Sequence, residues 1–140
     1  MKPAAALCLA LAACAILACS AGTAPAGGFP ADAYVTATSD SGALLIAVRT
    51  NPQPPARGTN DVELTVSHAA DGSPAPGLTL AVQTWMPAMN HGSATSTTRE
   101  EGGGKYLVSS VYLYMPGSWQ LRTTFSGPLD DHATLSLSVP

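Results

Sequence analysis

The sequence predicts an all-β fold: an immunoglobulin-like antiparallel β-sandwich of seven or eight strands. Three observations point there. From Tyr34 onward, apolar residues recur at every second position in short runs; clusters of Gly, Pro, Asn and Asp separate the runs; and nothing beyond residue 20 shows a sustained 3.6-residue period. Two packed sheets are the arrangement that buries one face of each such strand.

The chain begins differently. Met1 and Lys2 form a minimal positive start, and residues 3–18 are apolar without a charge. That run is shorter than the ~20 residues a membrane span needs and fits the apolar region of an export signal. All three cysteines, Cys8, Cys14 and Cys19, lie in this opening segment. Ile16-Leu17-Ala18-Cys19 resembles a bacterial lipoprotein box, so residues 1–19 are expected to be a signal ending in a lipidated Cys19. Leu11-Ala12-Ala13-Cys14 fits the box too but leaves a very short apolar region, and the choice between Cys14 and Cys19 stays open. A diacylated cysteine supplies two chains at once, enough for stable anchoring. The expected location is therefore the bacterial cell envelope, lipid-anchored to the membrane and facing the periplasm or exterior.

Residues 20–32 are rich in Ala, Gly, Pro and Thr and read as a flexible tether. Residues 33–140 then form one domain without thiols, so its core must suffice without disulfides. Beyond Lys2 the chain has five basic residues against nine acidic ones. No basic patch exists for a phosphate backbone, and nucleic-acid binding is not expected.

Strands are expected at 33–38, 43–50, 61–67, 78–86, 94–99, 105–114, 118–126 and 132–139. Val62, Leu64 and Val66 share a face, as do Leu78, Leu80 and Val82; so do Trp119, Leu121, Thr123 and Phe125, and Leu135, Leu137 and Val139. Asn51-Pro52, Asp71-Gly72, Gly102-Gly103-Gly104 and Met115-Pro116-Gly117 mark turns. Segment 94–99 is polar throughout and is read as an edge strand.

Two segments carry the chemistry: Trp85-Met86-Pro87-Ala88-Met89-Asn90-His91-Gly92 and Tyr114-Met115-Pro116-Gly117-Ser118-Trp119. They hold every methionine except the first residue. If 94–99 is a strand, up-and-down counting puts Met86, Met89, His91, Met115 and Trp119 at one end of the sandwich; if it is not, Met115 falls at the opposite end. Thioether sulfur is a soft, uncharged ligand that selects Cu(I) or Ag(I) and needs no deprotonation. The metal ligands expected are Met86, Met89, His91 and Met115, with Trp85 or Trp119 as a capping aromatic and copper, as Cu(I), as the ion. Five extended residues span about 17 Å, so the loop must curl for Met86 and His91 to meet. Pro87, Asn90 and Gly92 permit that. His68, His91 and His132 sit in no nucleophile motif, and Asp130-Asp131-His132 falls in a turn; the chain is not expected to be an enzyme.

The chain resembles the YtkA-like domain family, which is related to the FixH-like proteins. The resemblance lies in Gly58-Thr59-Asn60, Asp71-Gly72 before the 74–77 turn, the Met86 to Gly92 stretch, Gly104-Lys105-Tyr106, and Tyr114-Met115-Pro116-Gly117-Ser118-Trp119. Asn90, where a glycine is common, and Pro116 depart from the pattern without removing a proposed ligand. The resemblance implies an envelope sandwich connected with copper handling or cytochrome oxidase assembly, with a copper-donor or oxidase-assembly protein as partner. The FixH-type membrane helix is lacking, which favours a lipoprotein form and leaves an oxidase-assembly role open; a monomer is expected. The alternative is a metal-free immunoglobulin-like interaction or assembly module of the envelope, since sandwich end loops commonly bind partners.

Overall fold

The structure, a computed structural model, describes residues 28–140. The expected signal, Cys14, Cys19 and most of the expected tether lie outside the described residues. Among the described residues, no helix is long and apolar enough to cross a membrane.

Among the described residues, ten antiparallel strands form two sheets. They are β1 (Val35–Thr38), β2 (Leu44–Asn51), β3 (Gly58–His68), β4 (Thr79–Met86), β5 (His91–Gly92), β6 (Ser96–Thr97), β7 (Arg99–Gly102), β8 (Lys105–Leu113), β9 (Gly117–Ser126) and β10 (Asp131–Val139). The first sheet has the order β1-β2-β3-β8-β7; the second has β10-β9-β4-β5, with β6 also on β4. This is the all-β antiparallel sandwich that the alternation predicts.

Alternation also decides what fills the space between the sheets. Leu44, Ile46 and Val48 on β2 face Leu80, Val82 and Met86 on β4, Trp119, Leu121 and Phe125 on β9, and Leu135, Leu137 and Val139 on β10 in one buried cluster. On β8 the inward residues are Tyr106, Val108, Val111 and Leu113, so the two-residue period skips once. A bulge explains the skip. Val108 pairs with Val62 and Val111 with Asn60, which leaves Ser109 and Ser110 opposite Asp61 alone. Ser110 adopts a positive φ of 58°, and its backbone N–H donates to Asp61 Oδ1 at 2.9 Å.

The expected strand at 94–99 is corrected by the structure. Ser96–Thr97 pairs with Val82 and Ala81 in the second sheet, Thr98 N donates to Leu80 O at 3.2 Å, and Arg99 then pairs with Leu107 in the first sheet. The chain changes sheets within three residues. Ala94, Thr95, Ser96 and Arg99 are all exposed, so no apolar stripe binds the segment to one sheet. The crossing still descends from the Met86 end of the sandwich to the Gly102–Lys105 turn, and β8 climbs back, so Met115 returns to the end where β4 finished.

Of the expected tether, Gly28 to Asp32 are described. The carbonyls of Ala31 and Asp32 accept hydrogen bonds from the Arg49 guanidinium and the Gln53 amide, at 3.2 and 3.1 Å. The β1 and β10 margins of the two sheets meet where Tyr34 Oη donates to Ser138 O at 3.2 Å.

Candidate functional site

β4 ends at Met86, and Pro87 opens a single 3₁₀ turn, Pro87–Met89. Proline suits the first helical position, where its missing N–H has no partner to lose. Asn90 stops the turn in the left-handed region at φ 51°, donating its N–H to Pro87 O at 3.2 Å. The chain then reverses, so Met86 is the register partner of His91 and Trp85 that of Gly92. The curl required of this loop is thus a tight hairpin. Gly92 serves it by lacking a side chain rather than by an unusual φ: a Cβ there would collide with Thr84 O.

The second segment crosses from the end of β8 in the first sheet to β9, which pairs with β4 in the second, and meets the first segment on the way. The Tyr114 ring stacks on the His91 ring, with centroids 5.3 Å apart and planes 12° from parallel. Tyr114 Oη lies 3.3 Å from His91 Nδ1. Trp119 is fully buried and meets both rings edge-on, at 5.1 Å from Tyr114 and 6.5 Å from His91. Its indole Nε1–H donates to Met115 O at 3.0 Å, which satisfies a buried donor and fixes the backbone beside the Met115 sulfur. Gly117, at φ 125°, lies against Met86: a Cβ at Gly117 would come within 3.1 Å of Met86 Cε. Both segments therefore occupy one pole of the sandwich.

The four proposed ligands differ in exposure. Met86 is in the core at 3% exposure, Met115 and His91 are half-buried, and Met89 at the loop tip is 55% exposed. The two tryptophans separate as well. Neighbouring residues on a strand point to opposite faces, so with Met86 inward Trp85 lies on the outer face, where the Arg122 guanidinium sits 4.5 Å from its ring centroid. Trp119 is the indole beside His91. Tyr114, which the motif contains but which the expected ligand set leaves out, is the side chain in ring contact with His91; the only sequence signal for it is an aromatic residue immediately before Met115. The exposed Tyr112 extends the row, its ring 5.9 Å from that of Tyr114.

Among the described residues, no three His, Cys, Asp or Glu side chains gather as a metal site. The donors at this pole are of another kind, thioethers and one imidazole, and their chemistry favours soft monovalent ions.

A family model described as YtkA-like matches residues 38–124, more than half of the chain and including both segments. No curated protein and no solved structure gives a significant match.

Proposed function

The chain belongs to the YtkA-like family, and on that premise we propose that it is a cell-envelope lipoprotein that binds Cu(I), or a similarly soft ion, in copper handling or in delivery for oxidase assembly. Family membership suggests an envelope-associated domain; the ion comes from the donor set. Met89, His91 and Met115 are the accessible or half-buried donors, and Met86 is the donor beneath them. Trp119 lies beside His91 and Trp85 on the outer face, which supports Trp119 rather than Trp85 as the capping indole.

The observation that carries this reading is the stack of His91 on Tyr114, 5.3 Å between centroids. Tyr114 directly precedes Met115, so the contact joins the imidazole segment to the later thioether segment. Thioethers and neutral imidazole suit Cu(I), and neither is consumed by disulfide formation in an oxidising compartment. The test is titration of the protein with Cu(I) against a chromophoric chelator. The wild type is expected to compete, and Met89→Ala/His91→Ala to compete much less. Equal affinity for the two proteins ends the proposal.

A second reading, a metal-free interaction module, draws support from the burial of Met86, which is what a core residue shows, and from the exposure of Met89 and Tyr112 at the same pole. Capture of a partner that survives both chelation and Met89→Ala/His91→Ala would favour it.

A further inference from the structure

His91 has two ring nitrogens, and only one without a proton can bind a metal ion. Which one is bare depends on what the other nitrogen meets. At this pole the ring's hydrogen bond is made at Nδ1, with Tyr114 Oη at 3.3 Å. We propose that Tyr114 is a positioning residue for His91: its phenol oxygen accepts a hydrogen bond from Nδ1–H, and Nε2 is thereby presented as the bare donor nitrogen. The inference rests on the Cu(I) reading for the purpose of that nitrogen, though not for the hydrogen bond itself.

Three features make Tyr114 suited to the role. Its ring lies nearly parallel to the imidazole, 12° from it, so the stack restricts the tilt of His91 while the hydrogen bond restricts its spin. Tyr114 is itself held, with its ring in a T-shaped contact with that of Trp119, 5.1 Å between centroids. Trp119 is fully buried and tied through Nε1 to Met115 O, so the support reaches the core. A phenol can accept one hydrogen bond while donating another to solvent, so accepting from Nδ1–H leaves the hydroxyl satisfied. The reverse arrangement has Tyr114 donating to Nδ1 and the proton on Nε2, where an incoming ion would have to displace it. Histidine ligands generally have the remote nitrogen fixed in this way, and losing that partner weakens metal binding by about 10- to 100-fold.

The direct test needs no metal. Long-range ¹H–¹⁵N correlation spectra of the protein at about pH 8, above the ordinary imidazole range, report which nitrogen of His91 carries the proton. The expected result is a protonated Nδ1 and a bare Nε2 in the wild type. In Tyr114→Phe, which keeps the stack and removes the oxygen, the proton is expected to move substantially to Nε2. A wild-type His91 protonated at Nε2, or a tautomer unchanged in Tyr114→Phe, overturns the proposal. Ag(I) titration then separates the two claims. Tyr114→Phe is expected to weaken binding by about 10-fold or more, and to add no further loss in a His91→Ala background. If the tautomer behaves as expected and the wild type binds no Ag(I), the metal reading fails and the positioning of His91 by Tyr114 stands. Equal Ag(I) affinity in Tyr114→Phe and a metal-binding wild type overturns the role of Tyr114.

Discussion

The two poles of the sandwich are closed by different chemistry. At the pole away from the methionines, the turn after β1 is locked to the start of β10 through Asp131. Ser41 Oγ donates to Asp131 Oδ2 at 2.6 Å, the Ser41 and His132 backbone N–H groups donate to Oδ1 at 3.2 and 2.8 Å, and Asp40 N donates to His132 O at 2.8 Å. Burial pushes the Asp131 carboxyl up, but hydrogen bonds from the Ser39 and Ser41 hydroxyls and from those N–H groups outweigh it and hold the pKa down at about 2. At the methionine pole the contacts are stacked and edge-on rings and the flank of a thioether, with side-chain hydrogen bonds at His91 Nδ1 and from the Trp119 indole to Met115 O. A structural pole gathers acceptors and donors that satisfy one another. The methionine pole leaves the Met89, Met115 and His91 side chains half-buried or exposed, with Met115 also packed against the core. That contrast is the physical ground on which a binding function is proposed for one end and not the other.

Met86 is where the contrast can be broken most severely. It serves the core at 3% exposure and is also the ligand proposed beneath His91. Met86→Ala is expected to lower unfolding stability by about 2–5 kcal/mol in urea melts, through lost burial and the cavity left behind. Met86→Leu conserves volume and should cost less than about 1.5 kcal/mol, yet it removes the sulfur. If Met86 is a ligand, Met86→Leu binds Cu(I) more weakly while unfolding near the wild-type midpoint. Unchanged affinity in Met86→Leu assigns Met86 to the core alone.

Asp131 sharpens the other half of the comparison. Its carboxyl is held below the ordinary value of 3.8, at about 2. The stability it contributes is therefore present above pH ~4 and is lost as the pH falls from there toward 2. Asp131→Asn should be less stable than wild type at neutral pH and should lose this part of the acid dependence, measured as urea midpoints across that range. An unchanged acid slope in the variant would mean that the Ser39–Ser41–Asp131 lock does not set it.

The smallest effect is expected between the poles. Among the described residues, the Thr50 and Thr123 hydroxyls are buried without a hydrogen-bond partner. Replacing a buried, unpartnered polar group with an apolar one of the same shape is neutral or stabilising. Thr123→Val should raise stability by up to about 1 kcal/mol by thermal or urea unfolding, and a loss of that size would show that the hydroxyl has a partner.

Much of this arrangement is legible in the sequence, and the illegible part has physical reasons. β9 and β10 follow from strict alternation, because each outward residue is polar and each inward one is buried. The bulge at Ser109 and Ser110 is not legible, since two adjacent serines in a strand look like ordinary solvent-facing positions until Asp61 is seen to hold Ser110 N. Segment 94–99 misleads because its polarity leaves pairing to backbone hydrogen bonds, which carry no sequence code. For the two tryptophans the signal was present: Trp85 and Met86 are neighbours on a strand and cannot both face inward. The Tyr114 stack on His91 was not predictable, because spacing fixes which end of the sandwich a residue reaches and says nothing about which ring meets which.

The most direct test follows the methionine methyl groups of the ¹³C-methyl-Met-labelled protein during Ag(I) titration. The methyls of Met86, Met89 and Met115 should shift together, saturate at one equivalent, and do so in step with the His91 ring resonances. If only the exposed Met89 responds, or all of them drift without saturating, there is no common site at this pole and the Cu(I) account is wrong.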